Sequence, residues 1–351
     1  MGNNSSHWKG RSKLNELYLI LGISVLFLVA VDLLWTTIWV DGGGGPLSRR
    51  MGKMCWFILR RISNKHFNML RLAGPMVLSL TLITWILLLW IGWTLVFTAD
   101  AGSILLTPDM TPVTSWMERV YYVGFTLFTL GIGDYIPEKG VWQLVTTLAT
   151  GSGMLFITLS VSYVVSVLTG VVQKRSFAKN VTGQGGNWVT VLKQSWNGKD
   201  YHSIDLLLKD LSSQLSILTQ QHKAYPILHY YHSEKNSESS AVALAILDEA
   251  LTVYEFGVEE EYKPNRVWLK EARSSVDDYL ETLHKVFFKP AVNTPPPINL
   301  EPLRDEGLPL KSTPEFNIAV SNLMKRRERL LGLVKADAQQ WPEEDKRMGG
   351  Q

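Results

Sequence analysis

Residues 121–135, YYVGFTLFTLGIGDY, lie between two long apolar segments and decide how the chain is interpreted. The first half is apolar and aromatic and is typical of a helix, whereas glycine alternates with bulky residues in the second half. Because glycine adopts φ of either sign, this alternation lets successive carbonyl oxygens from Thr129 to Gly133 point toward one axis. Such a row of oxygens can replace the water shell of a cation. The sequence therefore predicts a cation-binding strand whose chemistry is carried by the backbone.

Three apolar segments are long enough to cross a membrane. The mean hydropathy is only +0.04, because a strongly apolar first half is averaged with a polar second half. A spanning helix needs roughly 20 apolar residues, and segments 17–40, 75–98 and 141–172 meet that length. We expect an N-terminal spanning helix, an outer helix and an inner helix, in that order. None carries Arg or Lys at every third residue, which is the pattern of a voltage sensor.

Basic residues predict the orientation of these helices. They are concentrated in segment 46–74, and short basic loops face the cytoplasm. We therefore expect a multi-pass protein of the cell membrane with a cytoplasmic C-terminal half and with the N-terminal segment 1–45 beginning outside. The amphipathic pattern of 54–72 predicts a helix on the bilayer surface, with anionic lipid as a partner of segment 49–71. The basic residues are Arg49, Arg50, Lys53, Arg60, Arg61, Lys65 and Arg71.

One acidic residue, Asp32, lies deep in the first predicted helix. An unpaired charge inside a bilayer is costly, which makes Asp32 a candidate functional residue. The alternatives are that it is protonated or that it packs against a polar group of a neighbouring subunit.

The residues before the glycine-containing strand predict a short helix that enters the membrane from outside. Segment 115–128 has Ser115 as its N-cap, and its partially negative C-terminal end would face a cation. Irregular backbone at membrane depth is tolerated where it lines a wet path, as the strand 129–134 would. We expect stacked cation sites from the carbonyls of Thr129, Leu130, Gly131 and Ile132, with the Thr129 hydroxyl at the inner end. Asp134 and Tyr135 are predicted at the outer mouth.

The region from Tyr121 to Tyr135, taken with its flanking helices, resembles the pore region of potassium channels. It is closest to the two-transmembrane pore module shared by bacterial and two-pore-domain channels, and its matching residues are Thr129, Gly131, Gly133 and Asp134. The resemblance implies a passive channel for K⁺, which is bound at residues 129–132, without an organic cofactor. Because a chain contributes one such element and a filter needs four, it also implies a homotetramer.

Two aliphatic residues depart from the family pattern. Leu130 and Ile132 stand in the filter, and the usual residue at the position of Ile132 is Tyr or Phe, whose ring wedges against the pore helix. Phe128 also replaces a common Thr. These departures leave K⁺ selectivity open, so a weakly selective monovalent cation channel is an alternative. A membrane sensor or scaffold that no longer conducts is another.

Aromatic residues behind the filter are its predicted support. Phe125 occupies a position that in some relatives is a Glu paired with the aspartate, here Asp134. We therefore consider Tyr122 as a hydrogen-bond donor to Asp134. Tyr121, Tyr122 and Phe125 form the predicted supporting set.

The inner helix carries two glycines and an apolar stripe. Gly151 and Gly153 permit either a hinge or close helix packing, and the sequence favours neither. The stripe recurs at helical spacing and predicts either a cavity-lining face with an inner gate or an ordinary helix contact. Its members are Met154, Ile157, Val161, Val165 and Thr169.

The C-terminal half predicts a separate helical domain over 174–288, with amphipathic helices at 204–218, 242–254 and 267–288. A proline-rich extended linker is expected over 289–314 and a final helix and tail over 315–351. The basic run 325–329 is expected on a solvated or membrane-contacting face. His229 and His232 with Glu234 predict either a metal site or a packed helix end.

No phosphate-loop spacing surrounds Gly183–Gly186, and no paired nucleophile and base is evident, so neither an enzyme nor a nucleic-acid partner is expected. The predicted fold class is an all-α membrane protein. It is a tetrameric pore-loop channel with an extra N-terminal transmembrane helix and a C-terminal helical cytoplasmic domain.

Overall fold

The computed structural model describes residues 5–39, 43–62, 72–284 and 287–342 of the 351-residue chain. The predictions for Lys65, Arg71 and the tail 343–351 therefore lie outside the described residues. The chain divides into two compact units. The first contains Met1–Cys55 and Pro75–Ser166, and the second contains Trp56–Gly74 and Val167–Gln351.

The three predicted membrane helices are present. They are α1 (Ser5–Ile38), α3 (Ala73–Thr98) and α5 (Val141–Thr182), and each is long and apolar enough to cross a membrane. The inner helix α5 continues to Thr182 instead of ending at 172, because the next helix-breaking residue along the chain is Gly183. Its last turns lie in the second unit.

Helix α2 (Pro46–Ile62) begins earlier than the predicted 54–72, and its first residue is proline, which suits the start of a helix. The buried carboxylate of Asp32 in α1 caps this start. It accepts hydrogen bonds from the backbone N–H of Leu47 at 2.7 Å and of Ser48 at 3.2 Å, and from the indole N–H of Trp85 at 2.8 Å. Asp32 is thus satisfied within its own chain, in the favourable field of a helix N-terminus.

A small sheet that the sequence did not predict stands beside the short helix α4 (Trp116–Leu127). Strands β1 (Ile104–Leu106), β2 (Thr111–Pro112) and β3 (Tyr135–Pro137) are antiparallel in the order β2-β1-β3. Leu106 pairs with Tyr135, so β1 runs alongside the end of the glycine-containing strand. The fold is therefore mainly helical but not entirely so.

The second unit is the predicted helical domain, packed around a central helix α8 (Ser240–Thr252) whose residues are all buried. Helix α7 (Asp205–Ala224) packs along α9 (Arg266–His284). Helix α7 extends six residues beyond its predicted end at 218, and α9 begins one residue before its predicted start at 267. The remaining helices are α6 (Trp188–Ser195), α10 (Glu301–Arg304), α11 (Thr313–Asn322) and α12 (Met324–Ala336).

The proline-rich segment 289–314 is part of this domain, not a free linker. Its prolines do keep it largely extended, but apolar residues between them, among them Ile298, Leu300 and Leu303, are buried in the core. The Ala291 N–H donates to the Glu328 carbonyl at 3.0 Å. The expectation of a linker was wrong because burial of these apolar side chains outweighs the cost of ordering the segment.

The single helix predicted over 315–335, ahead of the tail, is divided at Leu323 into α11 and α12. The basic run on α12 is not simply solvated. Arg327 is buried and its Nε donates to Glu249 of α8 at 2.7 Å, while Arg326 Nε donates to Asp248 at 2.8 Å. Burial alone would raise the pKa of Asp248, but the guanidinium groups of Arg273 and Arg326 hold it below its ordinary value.

The histidines of the 226–232 segment form a packed cluster. His232 Nδ1 lies 2.7 Å from a carboxylate oxygen of Asp337, and the His229 ring stacks on Phe287 with 4.3 Å between ring centroids. Among the described residues, no group of three or more His, Cys, Asp or Glu is arranged to hold a metal. The structure thus favours the packed arrangement, and Glu234 lies exposed next to it.

Candidate ion pathway

The short helix α4 starts where the sequence predicted. Ser115 is the N-cap residue in an extended conformation, and its backbone N–H donates to the Glu118 carboxylate at 3.3 Å. This hydrogen bond satisfies one of the otherwise unpaired N–H groups at the helix start. The C-terminal end of α4 runs directly into the strand 129–133, so the partially negative end of the helix adjoins that strand.

Arg119 fixes α4 to the outer loop. Its guanidinium is buried and donates to Ser103 Oγ at 3.0 Å and to the backbone carbonyls of Phe97 (2.5 Å), Val113 (2.7 Å), Asp100 (3.2 Å) and Ala101 (3.2 Å). Hydrogen bonds from a charged donor are each stabilising by roughly 1.5–3 kcal/mol when buried. The loop that carries β1 and β2 is therefore held on the helix that precedes the strand.

The strand itself has the conformation that the glycine spacing indicated. The φ angles are +57° at Thr129, +56° at Gly131 and +90° at Gly133, with negative φ at Leu130 and Ile132 between them. Alternating signs of φ allow successive peptide groups to turn the same way, with N–H groups on one side and carbonyls on the other. A β-branched residue with positive φ costs energy, which the neighbouring contacts must offset.

Two backbone hydrogen bonds hold the inner end of the strand. The Thr129 N–H donates to the Thr126 carbonyl at 3.2 Å, and the Leu130 N–H donates to the Phe125 carbonyl at 2.8 Å. The side chains of Leu130 and Ile132 are 66% and 55% exposed in the single chain. Large apolar side chains with such exposure mark a surface for contact with other protein or with the membrane.

Thr107, directly after β1, holds the outer end of the strand. Its hydroxyl lies 2.7 Å from the carbonyl oxygens of both Gly133 and Asp134, and its N–H donates to the Asp134 carbonyl at 2.9 Å. The Asp134 carboxylate accepts from the Tyr135 N–H at 3.0 Å. Both ends of the strand are thus fixed by contacts within one chain.

The predicted hydrogen bond from Tyr122 to Asp134 is not formed. The Tyr122 hydroxyl lies 2.7 Å from Thr146 Oγ1 on α5, whereas the Tyr121 ring contacts Tyr135, the residue after Asp134, with 5.8 Å between ring centroids. The Phe125 ring packs between them, with centroids 5.3 Å from Tyr121 and 5.2 Å from Tyr122. Consecutive helix residues point about 100° apart, so Tyr121 faces the strand and Tyr122 faces the inner helix.

The two inner-helix glycines have different surroundings. A Cβ at Gly153 would lie 2.1 Å from the carbonyl oxygen of Leu127, the last residue of α4, while a Cβ at Gly151 would meet no atom within 4 Å. Gly153 therefore allows close packing of α5 on α4. The helix is continuous through both positions.

The apolar stripe of α5 is exposed along its whole length in the single chain. Residues Met154, Ile157, Val161 and Val165 are between 43% and 59% exposed, and Thr169 is exposed as well. They share one face at helical spacing. Both interpretations from the sequence, a lining face or a contact with another helix, require this exposure.

The fold and the strand define a membrane protein with a pore-loop element between two spanning helices. Residues 80–170 match the Ion channel family, and the chain belongs to that family. The chain is 45% identical over 336 residues to YdjJ of Bacillus subtilis (strain 168), described as an uncharacterized membrane protein, with 96% of this chain and 98% of that protein covered. No solved structure matches the chain.

Proposed function

We propose that the protein is a potassium-selective channel in which four copies of the strand 129–133 surround one axis. The observation that carries the proposal is the positive φ at Thr129, Gly131 and Gly133, which lets successive carbonyl groups turn to one side. Carbonyl oxygens at residues 129–132, together with the Thr129 hydroxyl, are the expected ligands of K⁺. Several adjacent sites let ions displace one another, so binding is compatible with passive flow.

A homotetramer follows from the same argument. One strand offers carbonyls on one side of an ion only, and each described chain has one such strand, so the ring requires four chains. The exposed Leu130, Ile132 and the α5 stripe give the apolar surface that assembly would bury. No enzymatic step is part of the proposal.

The placement in the cell membrane is part of the proposal. When the outer end of the strand faces outward, the start of α3 lies on the cytoplasmic side. Helix α2, which precedes α3, and the C-terminal domain, which follows α5, are then cytoplasmic as well. Helix α2 has no acidic residue, and Arg49, Arg50, Lys53 and Arg61 are exposed on it together with Phe57. Such a surface suits the headgroups of anionic lipids. A lipid bilayer containing them is the expected partner.

A weakly selective cation channel is the second candidate, favoured by one observation. The side chain of Ile132, 55% exposed in the single chain, offers no hydrogen-bonding group where the family has an aromatic ring. The filter is then held by fewer contacts from behind, and discrimination between K⁺ and Na⁺ depends on carbonyl geometry.

The deciding experiment measures cation flux into liposomes that contain the purified protein, with K⁺, Rb⁺ or Na⁺ as the permeant ion. We expect K⁺ and Rb⁺ to pass and Na⁺ to pass at least tenfold more slowly. Equal flux of all three would support the weakly selective candidate, and a tetramer without flux would favour a membrane sensor or scaffold.

A matched pair of glycine variants ties the flux to the strand. Gly131 and Gly140 both have positive φ, +56° and +85°, and a Cβ at either would meet nothing within 4 Å. Alanine at either position therefore carries a similar backbone cost. Gly131→Ala should abolish selective K⁺ flux and Gly140→Ala should not.

A further inference from the structure

The outer end of the strand 129–133 is fixed by a residue that lies outside the pore-loop element. We infer that Thr107 is a positioning residue for ion selection, and this inference rests on the proposed channel function. Its hydroxyl and N–H set the directions of the last two carbonyl groups of the strand, those of Gly133 and Asp134.

Few polar side chains support the described strand from the side of α4. Phe125 is buried and has no polar side-chain atom, and Ile132 offers no ring or hydroxyl to the helix. The carbonyl groups at the outer end are bound by Thr107, whose hydroxyl is 2.7 Å from each.

Thr107 is itself held in place by a rigid frame. Antiparallel pairing of Leu106 with Tyr135 puts the next residue, Thr107, opposite Asp134, so the register of β1 and β3 fixes its distance from the strand. The loop that carries β1 is in turn bound to α4 through the buried guanidinium of Arg119. Helix α4 therefore fixes the inner end of the strand directly and its outer end through Arg119, β1 and Thr107.

This arrangement has a consequence for the ion sites. A hydroxyl carries one proton, so Thr107 donates to Gly133 or Asp134 at any moment, while its N–H continues to donate to the Asp134 carbonyl. The Gly133 carbonyl is turned toward Thr107 and is withdrawn from the row of cation ligands. The row then ends at Ile132, and Thr107 sets that boundary.

The test compares Thr107→Val, which removes the hydroxyl and keeps the shape, with Thr107→Ser, which keeps a hydroxyl. Thr111→Val on β2 is the matched control, because Thr111 is exposed in the same small sheet. Two properties are measured on purified protein in liposomes or detergent. One is the K⁺ to Na⁺ permeability ratio, and the other is the K⁺ concentration that half-maximally raises the thermal unfolding temperature.

For Thr107→Val we expect the permeability ratio to fall about fivefold and the half-maximal K⁺ concentration to rise about fivefold. Fivefold corresponds to about 1 kcal/mol, the typical contribution of one hydrogen bond. Thr107→Ser and Thr111→Val should match the wild type in both properties.

The possible failures can be told apart. A wild-type protein that neither passes K⁺ nor gains stability from it would refute the channel function itself. A conducting wild type with an unaltered Thr107→Val variant would overturn the role of Thr107 alone. The inference would also be overturned if Thr107→Val failed to assemble while Thr107→Ser assembled, because the hydroxyl would then be needed for folding and not for ion selection.

Discussion

Replacement of Gly153 by alanine is the most sharply defined perturbation of the pore unit. The added Cβ would lie 2.1 Å from the Leu127 carbonyl oxygen, whereas ordinary contact begins at 3.4 Å. The oxygen belongs to the backbone at the end of α4 and cannot rotate away, so α5 must shift outward. Overpacking of this kind costs about 1–3 kcal/mol. Because Leu127 precedes Thr129 by two residues, the shift would also displace the inner end of the strand.

Gly151→Ala is the matched control for this change. A Cβ at Gly151 meets nothing within 4 Å in the single chain, and alanine favours a helix by up to about 1 kcal/mol over glycine. A hinge would be stiffened by either substitution, whereas close packing is disturbed by Gly153→Ala only. The thermal unfolding temperature in detergent and the K⁺ flux in liposomes should both fall for Gly153→Ala and stay near wild type for Gly151→Ala. Equal behaviour of the two variants would refute the packing argument.

Three further changes test other parts of the structure. Asp32→Ala should destabilise the first unit by about 1–3 kcal/mol, because the N–H groups of Leu47 and Ser48 lose their acceptor. Asp32→Asn keeps an acceptor oxygen and should lose less stability, and thermal unfolding of the two variants checks this. Arg327→Met should cost about 3–5 kcal/mol by removing the guanidinium that pairs with the buried carboxylate of Glu249, and the double change with Glu249→Leu should restore most of that loss in the same assay. Burial lowers the pKa of His222 to about 3, so as the pH falls below about 6.5 the unfolded state binds a proton that the folded state does not, and this residue should lower stability by roughly 1.4 kcal/mol per pH unit. Burial also lowers the pKa of His229, so His222→Gln should reduce the slope in melts between pH 7 and 5 without abolishing it, and an unchanged slope would contradict the argument.

The pore element was predictable from sequence because its signal is local. Glycine at alternate positions indicates where φ can be positive, and the lengths of the apolar segments 75–98 and 141–172 indicate the flanking helices. The positive φ of Thr129 was not predictable, since a β-branched residue disfavours it. It arises from the hydrogen bonds that draw the strand back onto the end of α4.

The supporting contacts were missed because they depend on tertiary structure. Thr107 is 26 positions from Gly133 in the sequence, and strands of two or three residues show no alternation that would reveal the sheet. Arg119 stands out only as a charge in an apolar helix. Whether Tyr122 faces Asp134 or the inner helix depends on the rotation of α4, which a sequence pattern gives too coarsely.

The C-terminal helical domain shows the same division between local and distant information. Helical periodicity located α7, α8 and α9, and prolines indicated extended backbone over 289–314. The pattern did not show that the apolar residues between the prolines would be buried in the core. Pairing of Arg326 and Arg327 with Asp248 and Glu249 likewise joins residues 78 positions apart.

The central claim is tested most directly by determining the structure of the assembled protein with Rb⁺ or Tl⁺ in place of K⁺. We expect four chains around one axis, with ion density between the carbonyl layers of residues 129–132 and none beyond Ile132. A monomer or simple dimer, or a strand whose carbonyls face away from a shared axis, would contradict the account.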